Sequence, residues 1–112
     1  MTISFKKPQH SCIHTAWLDR ASKEASREIL VDDDRIISAA ELVQRIELIA
    51  SNLIDQEATG RVVGIQMDNT IDAVAAYFAC LHAGAVVATL PRGVPAVVSR
   101  IIADGNLSLL LI

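Results

Sequence analysis

Aromatic residues are scarce in this sequence, which has one Trp, one Tyr and two Phe among 112 residues. The hydrophobic fraction is nevertheless 52%, so Ala, Val, Leu and Ile have to form the core. Such a core is typical of buried helices and parallel strands rather than of an aromatic-lined binding surface. At this length we expect one domain or a part of one.

Cysteine and positive charge are also limited. The two cysteines, Cys12 and Cys80, are too few for the disulfide framework of a small secreted protein. We interpret Cys80 as a small apolar core residue, and nothing in the sequence places a cation beside Cys12 to make it a reactive thiol. The net charge of -3 leaves no basic stripe of the kind that binds nucleic acid, so we predict no nucleic-acid partner.

The sequence has neither a leader-like apolar stretch nor a clear membrane span. Residues 1–12 form a polar segment without an apolar run after the lysines, so we predict no signal peptide and a cytoplasmic location. Residues 73–90 contain His82 as the only strongly polar residue and reach the length at which a membrane span is considered. Because residues 82–84 read as a helix end with Gly84 as its left-handed stop, we predict a helix and a strand instead.

The first half of the sequence predicts a helix, a hairpin and a second helix. Apolar residues recur at helical spacing over residues 13–25, and strands at 29–31 and 35–37 flank a turn made by Asp32, Asp33 and Asp34. Residues 38–41 form a capping box that starts the second helix. Its apolar stripe is predicted to contain Leu42, Ile46, Ile49 and Leu53, widened by Val43, Ala50 and Ile54.

The second half alternates between strands and helices. Strands are predicted at residues 61–67, 85–90 and 107–112, with an apolar helix at 71–83 capped at Asn69-Thr70. Another helix has Pro95 in its first turn and ends near Gly105. The prediction is an α/β fold: a partial open parallel sheet in βαβαβ order with right-handed crossovers, helices on both faces and a short N-terminal hairpin.

Several residues could bind a ligand, and each has a simpler interpretation. Backbone N–H groups after Asn69 and Thr70 could hold an anion, but no glycine or lysine phosphate motif is present and helix capping is the interpretation. His10 and His14 have the i, i+4 spacing of metal ligands, yet no third ligand is evident, so we interpret them as a surface pair.

Two further polar features have structural interpretations. His82 is interpreted as the end of a buried helix, and Asp32 to Asp34 as a charged turn rather than a cation site. We assign no catalytic, cofactor-binding or metal-binding residue.

Four segments in order resemble the opening of the adenylate-forming (AMP-binding) ligase superfamily, which contains acyl-CoA synthetases and peptide-synthetase adenylation domains. Residues 38–42 (SAAEL) are similar to its [ST]-Y-x-E-L segment without the tyrosine, and residues 60–70 (GRVVGIQMDNT) to its G-D-x-V-a-i-x-m-x-N-[ST] pattern. Residues 81–91 (LHAGAVVATLP) look like its L-x-A-G-A region, although Arg92 stands where an acidic or amide residue is common. Residues 95–112 are similar to the helix and strand that come next.

The resemblance implies an ATP-dependent ligase of which only a part is present. Family members convert a carboxylate and ATP to an acyl-adenylate and then transfer the acyl group to a thiol of coenzyme A or of a carrier arm. The family's phosphate loop, adenine and magnesium segments and catalytic lysine lie further along than residue 112. The resemblance therefore implies residues 13–112 as an incomplete N-terminal subdomain that binds no cofactor alone, with ATP and Mg expected for the full-length family.

Two alternatives stay open. The chain could be a stand-alone interaction module that completes its sheet with a partner polypeptide, such as the missing remainder of the ligase, through the apolar strand at 107–112. It could also be a small independent nucleotide-binding domain, which only the fold class favours.

Overall fold

The N-terminal half of the chain folds as a helix, a hairpin and a second helix in a computed structural model that describes residues 13–112. Helix α1 (Ile13–Lys23) is followed by the antiparallel strands β1 (Glu28–Val31) and β2 (Ile36–Ser38). The predicted hairpin is confirmed. The helix ends two residues earlier than predicted, because the chain turns at once: the Arg27 N–H donates to the Glu24 carbonyl at 3.1 Å, three residues back.

Helix α2 (Ala39–Asp55) begins at the predicted capping box. The Ser38 hydroxyl accepts the Glu41 N–H at 3.2 Å, and the Glu41 carboxylate accepts the Ser38 N–H at 3.5 Å. The buried face of the helix consists of Ala39, Leu42, Ile46, Ala50 and Leu53. Ile54 was predicted to widen this face but is 52% exposed, because it lies about 100° around the helix from Leu53, at the edge of the stripe.

The remaining elements build a parallel sheet with the predicted βαβαβ order. They are β3 (Val62–Ile65), α3 (Ile71–His82), β4 (Val86–Thr89), α4 (Pro95–Gly105) and β5 (Leu109–Leu111). The strand order is β4-β3-β5, with Val63 opposite Val87 on one side and opposite Leu109 on the other. The predicted α/β fold is confirmed. The first crossover runs from β3 to β4, and the second runs back from β4 past β3 to β5. Because parallel crossovers are right-handed as a rule, these opposite directions correspond to α3 and α4 on opposite faces of the sheet.

Helix α3 packs against α2 through small side chains. Ala75, Ala76, Ala79 and Cys80 are each at most 1% exposed, and they join Ile46 of α2 in the main core cluster. Alanines allow the two helices to approach closely and fill the space without aromatic rings. The helix ends as predicted at Gly84, whose φ of +74° is the left-handed conformation of a helix stop.

Helix α4 is much less covered than α3. Val98 is its one buried residue, and Asn106 in the left-handed conformation follows Gly105 to end it. Within residues 13–112, no helix is both long and apolar enough to cross a membrane. The apolar run at 73–90 is divided between α3 and β4, as predicted.

Candidate functional site

The carboxyl ends of β3, β4 and β5 meet at the place where open α/β sheets bind ligands. The chain adds β4 on one side of β3 and β5 on the other, which makes the end of β3 a topological switch point. A crevice of about 440 Å³ lies there, lined by Gln66, Met67, Asp68, Thr70, Asp72, Arg92 and Ile112.

Within this crevice, two loops are tied together by polar contacts. The Arg92 guanidinium lies 2.7 Å from the Asp68 carboxylate, and both side chains are exposed. The Gln66 amide donates to the Pro91 carbonyl at 3.0 Å. Arg92, the residue at which the sequence departs from the ligase pattern, thus pairs the loop after β4 with the loop after β3.

The N-terminus of α3 borders the same crevice and is capped from within the chain. The Thr70 hydroxyl accepts the Ala73 N–H at 3.3 Å, which confirms its predicted role as an N-cap. The Asp32 carboxylate accepts the Ile71 N–H at 3.2 Å from the turn of the hairpin. The first N–H groups of the helix, which could have bound an anion, are therefore occupied in part by the protein's own side chains.

Asp32 also organises its own turn. Its other carboxylate oxygen accepts the N–H groups of Asp34 at 3.0 Å and Arg35 at 2.9 Å. Hydrogen bonding from Ile71, followed by that from Asp34, holds the pKa of Asp32 below its ordinary value of 3.8. The predicted interpretation of residues 32–34 as a charged turn agrees with this geometry, because the carboxylate binds backbone groups.

An ion-pair network joins this turn to the two main helices. Arg35 donates to the Asp72 carboxylate from both terminal guanidinium nitrogens, at 3.1 and 3.4 Å, and Arg45 of α2 donates to the same carboxylate at 3.1 Å. The hydrogen bond to Asp72 raises the pKa of Arg35 above its ordinary value. Asp72, in the first turn of α3, therefore connects the hairpin, α2 and α3.

These long-range contacts were not predicted from the sequence. The Asp32–Ile71 hydrogen bond spans 39 residues and the Arg35–Asp72 bond spans 37. Local patterns identify a turn and a helix start, but they carry no signal that one caps the other.

A second cavity, of about 460 Å³, lies between β1 and the first two turns of α3. Its walls are mainly apolar, from Leu30, Val31, Val74, Tyr77 and Phe78, and Asp32 and Thr70 lie at its polar end. Asp32 and Thr70 already serve as caps of α3, and Asn69 and Tyr77 supply the other polar side chains of the cavity.

The remaining candidate residues lie elsewhere. Cys80 is fully buried, as predicted, and burial raises the pKa of its thiol to about 11, which makes it unreactive at neutral pH. His82 is the last residue of α3, and its ring lies edge-on to that of His14, with centroids 6.0 Å apart. His10 and Cys12 lie outside the described residues. No group of three or more His, Cys, Asp or Glu side chains within residues 13–112 could hold a metal ion.

The arrangement at the strand ends positions loops and caps a helix. Each carboxylate along the crevice has a cationic partner, Asp68 in Arg92 and Asp72 in Arg35 and Arg45. The Thr70 hydroxyl is used as a cap. In this structure these side chains hold the loops and the start of α3 in place.

Comparisons with known proteins identify the scaffold. The family model for AMP-binding enzymes matches residues 17–112, while no curated protein sequence matches the chain. Among solved structures, VinN aligns with a TM-score of 0.82 at 21% identity, covering 87% of this chain and 26% of that one. The N-terminal subdomain of NpsA from Klebsiella oxytoca aligns at 0.81 with 17% identity, over 88% of this chain and 26% of that one.

A third structure gives the same result. The N-terminal domain of FACL13 from Mycobacterium tuberculosis aligns with a TM-score of 0.81 at 20% identity, over 87% of this chain and 25% of that one. At these identities the structures show the fold, and this chain spans about a quarter of their length. Since the family model covers most of its residues, the chain belongs to the AMP-binding enzyme family, and its fold matches part of the NpsA N-terminal subdomain and of the FACL13 N-terminal domain.

Proposed function

We propose that residues 13–112 are an incomplete N-terminal subdomain of an ATP-dependent adenylate-forming ligase and act only together with the rest of that domain. The complete ligase would use ATP and Mg²⁺ to convert a carboxylic acid to an acyl-adenylate. It would then transfer the acyl group to a thiol of coenzyme A or of a carrier arm. This segment alone would supply no catalytic group and bind no cofactor, and a cytoplasmic location stays a prediction.

The uncovered apolar surface on one side of the sheet is the observation that carries this proposal. Leu110 of β5 is 39% exposed, and Ile112, which follows the strand, is 84% exposed. Val97 of helix α4 and Val94, which precedes that helix as its N-cap residue, are each 46% exposed. An apolar strand edge and helix face of this kind are normally covered by further chain.

The scaffolding character of the crevice supports the same proposal. The phosphates of ATP carry several negative charges, whereas two of the side chains lining the crevice are the carboxylates of Asp68 and Asp72. Their cationic partners are already engaged in ion pairs. The charge pattern thus disfavours a small independent nucleotide-binding domain and favours a segment that needs other parts of the ligase to bind ATP.

The test is to capture the native protein from its source with an antibody raised against the 112-residue chain, and to measure its intact mass. We expect a mass several times 12.1 kDa, because 87% of this chain covers only 26% of the VinN chain. The captured protein should catalyse carboxylate-dependent exchange of pyrophosphate into ATP, and the recombinant 112-residue chain should not. Exchange by the 112-residue chain alone would overturn the proposal.

The same exposed strand edge favours a second candidate, a separate module that completes its sheet with a partner polypeptide. In that case the captured native protein has a mass near 12.1 kDa. It is accompanied by a polypeptide that carries the remaining ligase sequence, and exchange activity requires both chains. A short native form without such a companion or activity excludes both candidates.

A further inference from the structure

Strand β1 has a hydrogen-bonded partner strand on one side only. It pairs with β2 in a two-stranded sheet, and within residues 13–112 no backbone hydrogen bond joins its opposite edge to another element. Directly after the strand, the Asp32 N–H donates to the carbonyl of Arg35, the residue before β2, at 2.9 Å. Because backbone groups alternate in direction along a strand, the N–H and C=O of Val31 point away from β2, toward the free edge.

The apolar cavity between β1 and α3 runs along this free edge. Its lining includes Leu30 and Val31 of β1 but no residue of β2. Neighbouring side chains of a strand point to opposite faces, so a cavity that both of them border extends around the strand edge rather than over one face. Helix α3 forms the opposite wall. The space of about 460 Å³ therefore lies where a further strand would pair with β1.

The cavity also presents exposed apolar surface and unused polar groups. Val31 is 71% exposed and Tyr77 is 38% exposed. Within residues 13–112, neither the Asn69 amide group nor the Tyr77 hydroxyl has a hydrogen-bond partner. Both side chains line the cavity, so they are placed to bind the backbone of a segment that enters it.

The remainder of the ligase supplies chain that can enter this cavity. The alignment with VinN covers 87% of this chain but only 26% of that one, so most of the related chain has no counterpart in these residues. A strand edge beside an apolar cavity selects an extended segment with apolar side chains at alternate positions. The edge supplies main-chain hydrogen bonds, and the cavity accommodates every second side chain.

We propose that an extended, apolar segment from the remainder of the ligase adds as a strand to the free edge of β1 and fills the cavity against α3. The hairpin thereby becomes part of a larger sheet, and the segment covers Val31 and Tyr77. This inference rests on the proposed function, because the segment belongs to the remaining ligase chain. It concerns a different surface from the apolar residues of β5 and α4.

The first test compares hydrogen–deuterium exchange in the 112-residue chain and in the complete ligase, produced from the gene of the captured native protein. We expect the amide of Val31 to be at least tenfold more protected in the complete ligase, because the added strand accepts its hydrogen bond. The same protection in both proteins overturns the proposal. If that shared protection is high, the occupant lies within the 112 residues; if it is low, the edge stays free.

The second test uses two variants at the same position, Val31→Lys and Val31→Thr. In the complete ligase, Val31→Lys should lower the protection of the residue 31 amide at least tenfold, because a lysine charge opposes burial under an apolar segment. Val31→Thr, the matched control, keeps a branched and uncharged side chain and should retain the protection. Equal protection in the two variants contradicts the proposal.

Thermal unfolding of the same variants in the 112-residue chain shows whether the substitutions damage the fold itself. Because the Val31 side chain is 71% exposed there, both melting temperatures should stay within about 3 °C of the wild type. A large loss confined to Val31→Lys would mean that residues of this chain already cover the edge, which overturns the proposal.

The outcomes separate this inference from the proposed function. The mass and the pyrophosphate exchange of the native protein decide the proposed function. An active ligase in which the Val31 amide is no more protected than in the 112-residue chain overturns this inference alone. A native chain without the remaining ligase sequence overturns both.

Discussion

Among individual side chains, Asp32 makes the contacts that most directly join distant parts of the chain. Its carboxylate accepts hydrogen bonds from its own turn and from Ile71 at the start of α3. The charged form makes these bonds, which is why the pKa of Asp32 is lowered. A lowered pKa in the folded state stabilises the fold above the unfolded-state pKa, and this stabilisation is lost as the pH falls through the folded-state value.

For Asp32→Asn we therefore expect a lower melting temperature at neutral pH, because the amide has one acceptor oxygen in place of two and no charge. The difference from the wild type should be constant above about pH 5 and should shrink as Asp32 itself becomes protonated below its ordinary pKa of 3.8. Thermal unfolding followed by circular dichroism across this pH range measures both effects. Asp33→Asn, at an exposed position in the same turn, is the control, and a difference that persists to the lowest pH would contradict the assignment.

Gly64 is a residue that the packing around it requires to be glycine. It lies in the central strand β3, where an added Cβ would collide with the Leu107 side chain and lie 3.1 Å from Leu90 and 3.2 Å from Leu110. These leucines come from segments that follow β3 in the sequence, and they pack over the bare backbone. A side chain at position 64 would force them out of their positions.

We expect Gly64→Ala to lower the free energy of unfolding by about 1–3 kcal/mol, the usual effect of overpacking. Urea unfolding of the single variants, and of a double variant that also carries Leu107→Ala, tests the cause. Leu107→Ala removes the colliding atoms, so the loss in the double variant should be smaller than the sum of the two single losses. Additive losses would mean that crowding against Leu107 is not the reason.

At the level of helices and strands, α2 has the strongest local signals in the sequence, and the structure follows them. The capping box at Ser38 and the stripe from Leu42 to Leu53 set its start and its buried face. We expect Ser38→Ala to cost about 1 kcal/mol of stability, since the Glu41 N–H loses its acceptor. Urea unfolding measures this loss. We expect the dependence of the unfolding free energy on urea concentration to stay the same, because the variant exposes the same surface on unfolding.

Ser51→Ala is the matched control for this prediction, because it makes the same replacement at an exposed position inside α2. It removes no cap, and alanine favours the helix, so the stability should change by no more than about 0.5 kcal/mol. Equal losses in the two variants would show that the cap at Ser38 contributes nothing specific.

Prediction from the sequence succeeded where the signal was local. The order of elements, the cap at Thr70 and the stop at Gly84 each depend on residues within one or two turns of chain. The order of the strands and the cap that Asp32 places on α3 depend on contacts across many residues, for which periodicity gives no information. The exposure of Ile54 shows a related limit. The apolar stripe predicts which side of α2 faces the core, but it does not predict how wide the part of that side is that other elements cover.

For the molecule as a whole, the apolar residues exposed at the edge strand β5 bear on how the chain associates. The α2–α3 side has a closed core, whereas β5 and α4 leave Leu110 and Ile112 in contact with solvent. The 112-residue chain alone should therefore self-associate as its concentration rises, through the edge of β5. Sedimentation velocity over a range of concentrations measures this association.

Leu110→Lys should reduce that self-association, because a charge on an edge strand opposes pairing with another edge. Leu48→Lys introduces the same charge at a position on α2 that is 67% exposed, and it should leave the association unchanged. Equal effects of both variants would attribute the association to net charge rather than to the strand edge.

The strand order β4-β3-β5 also bears on how the chain can fold during synthesis. Of the three strands in the parallel sheet, β3 leaves the ribosome first and becomes the central strand. Strands β4 and β5 follow and pair with its two opposite edges. Each new strand can thus add to an edge that is already formed, and none has to be inserted between two strands that are paired. The sheet can grow outward in the order of translation, with α3 already packed on β3 and β4, and α2 packed on α3, before β5 is made.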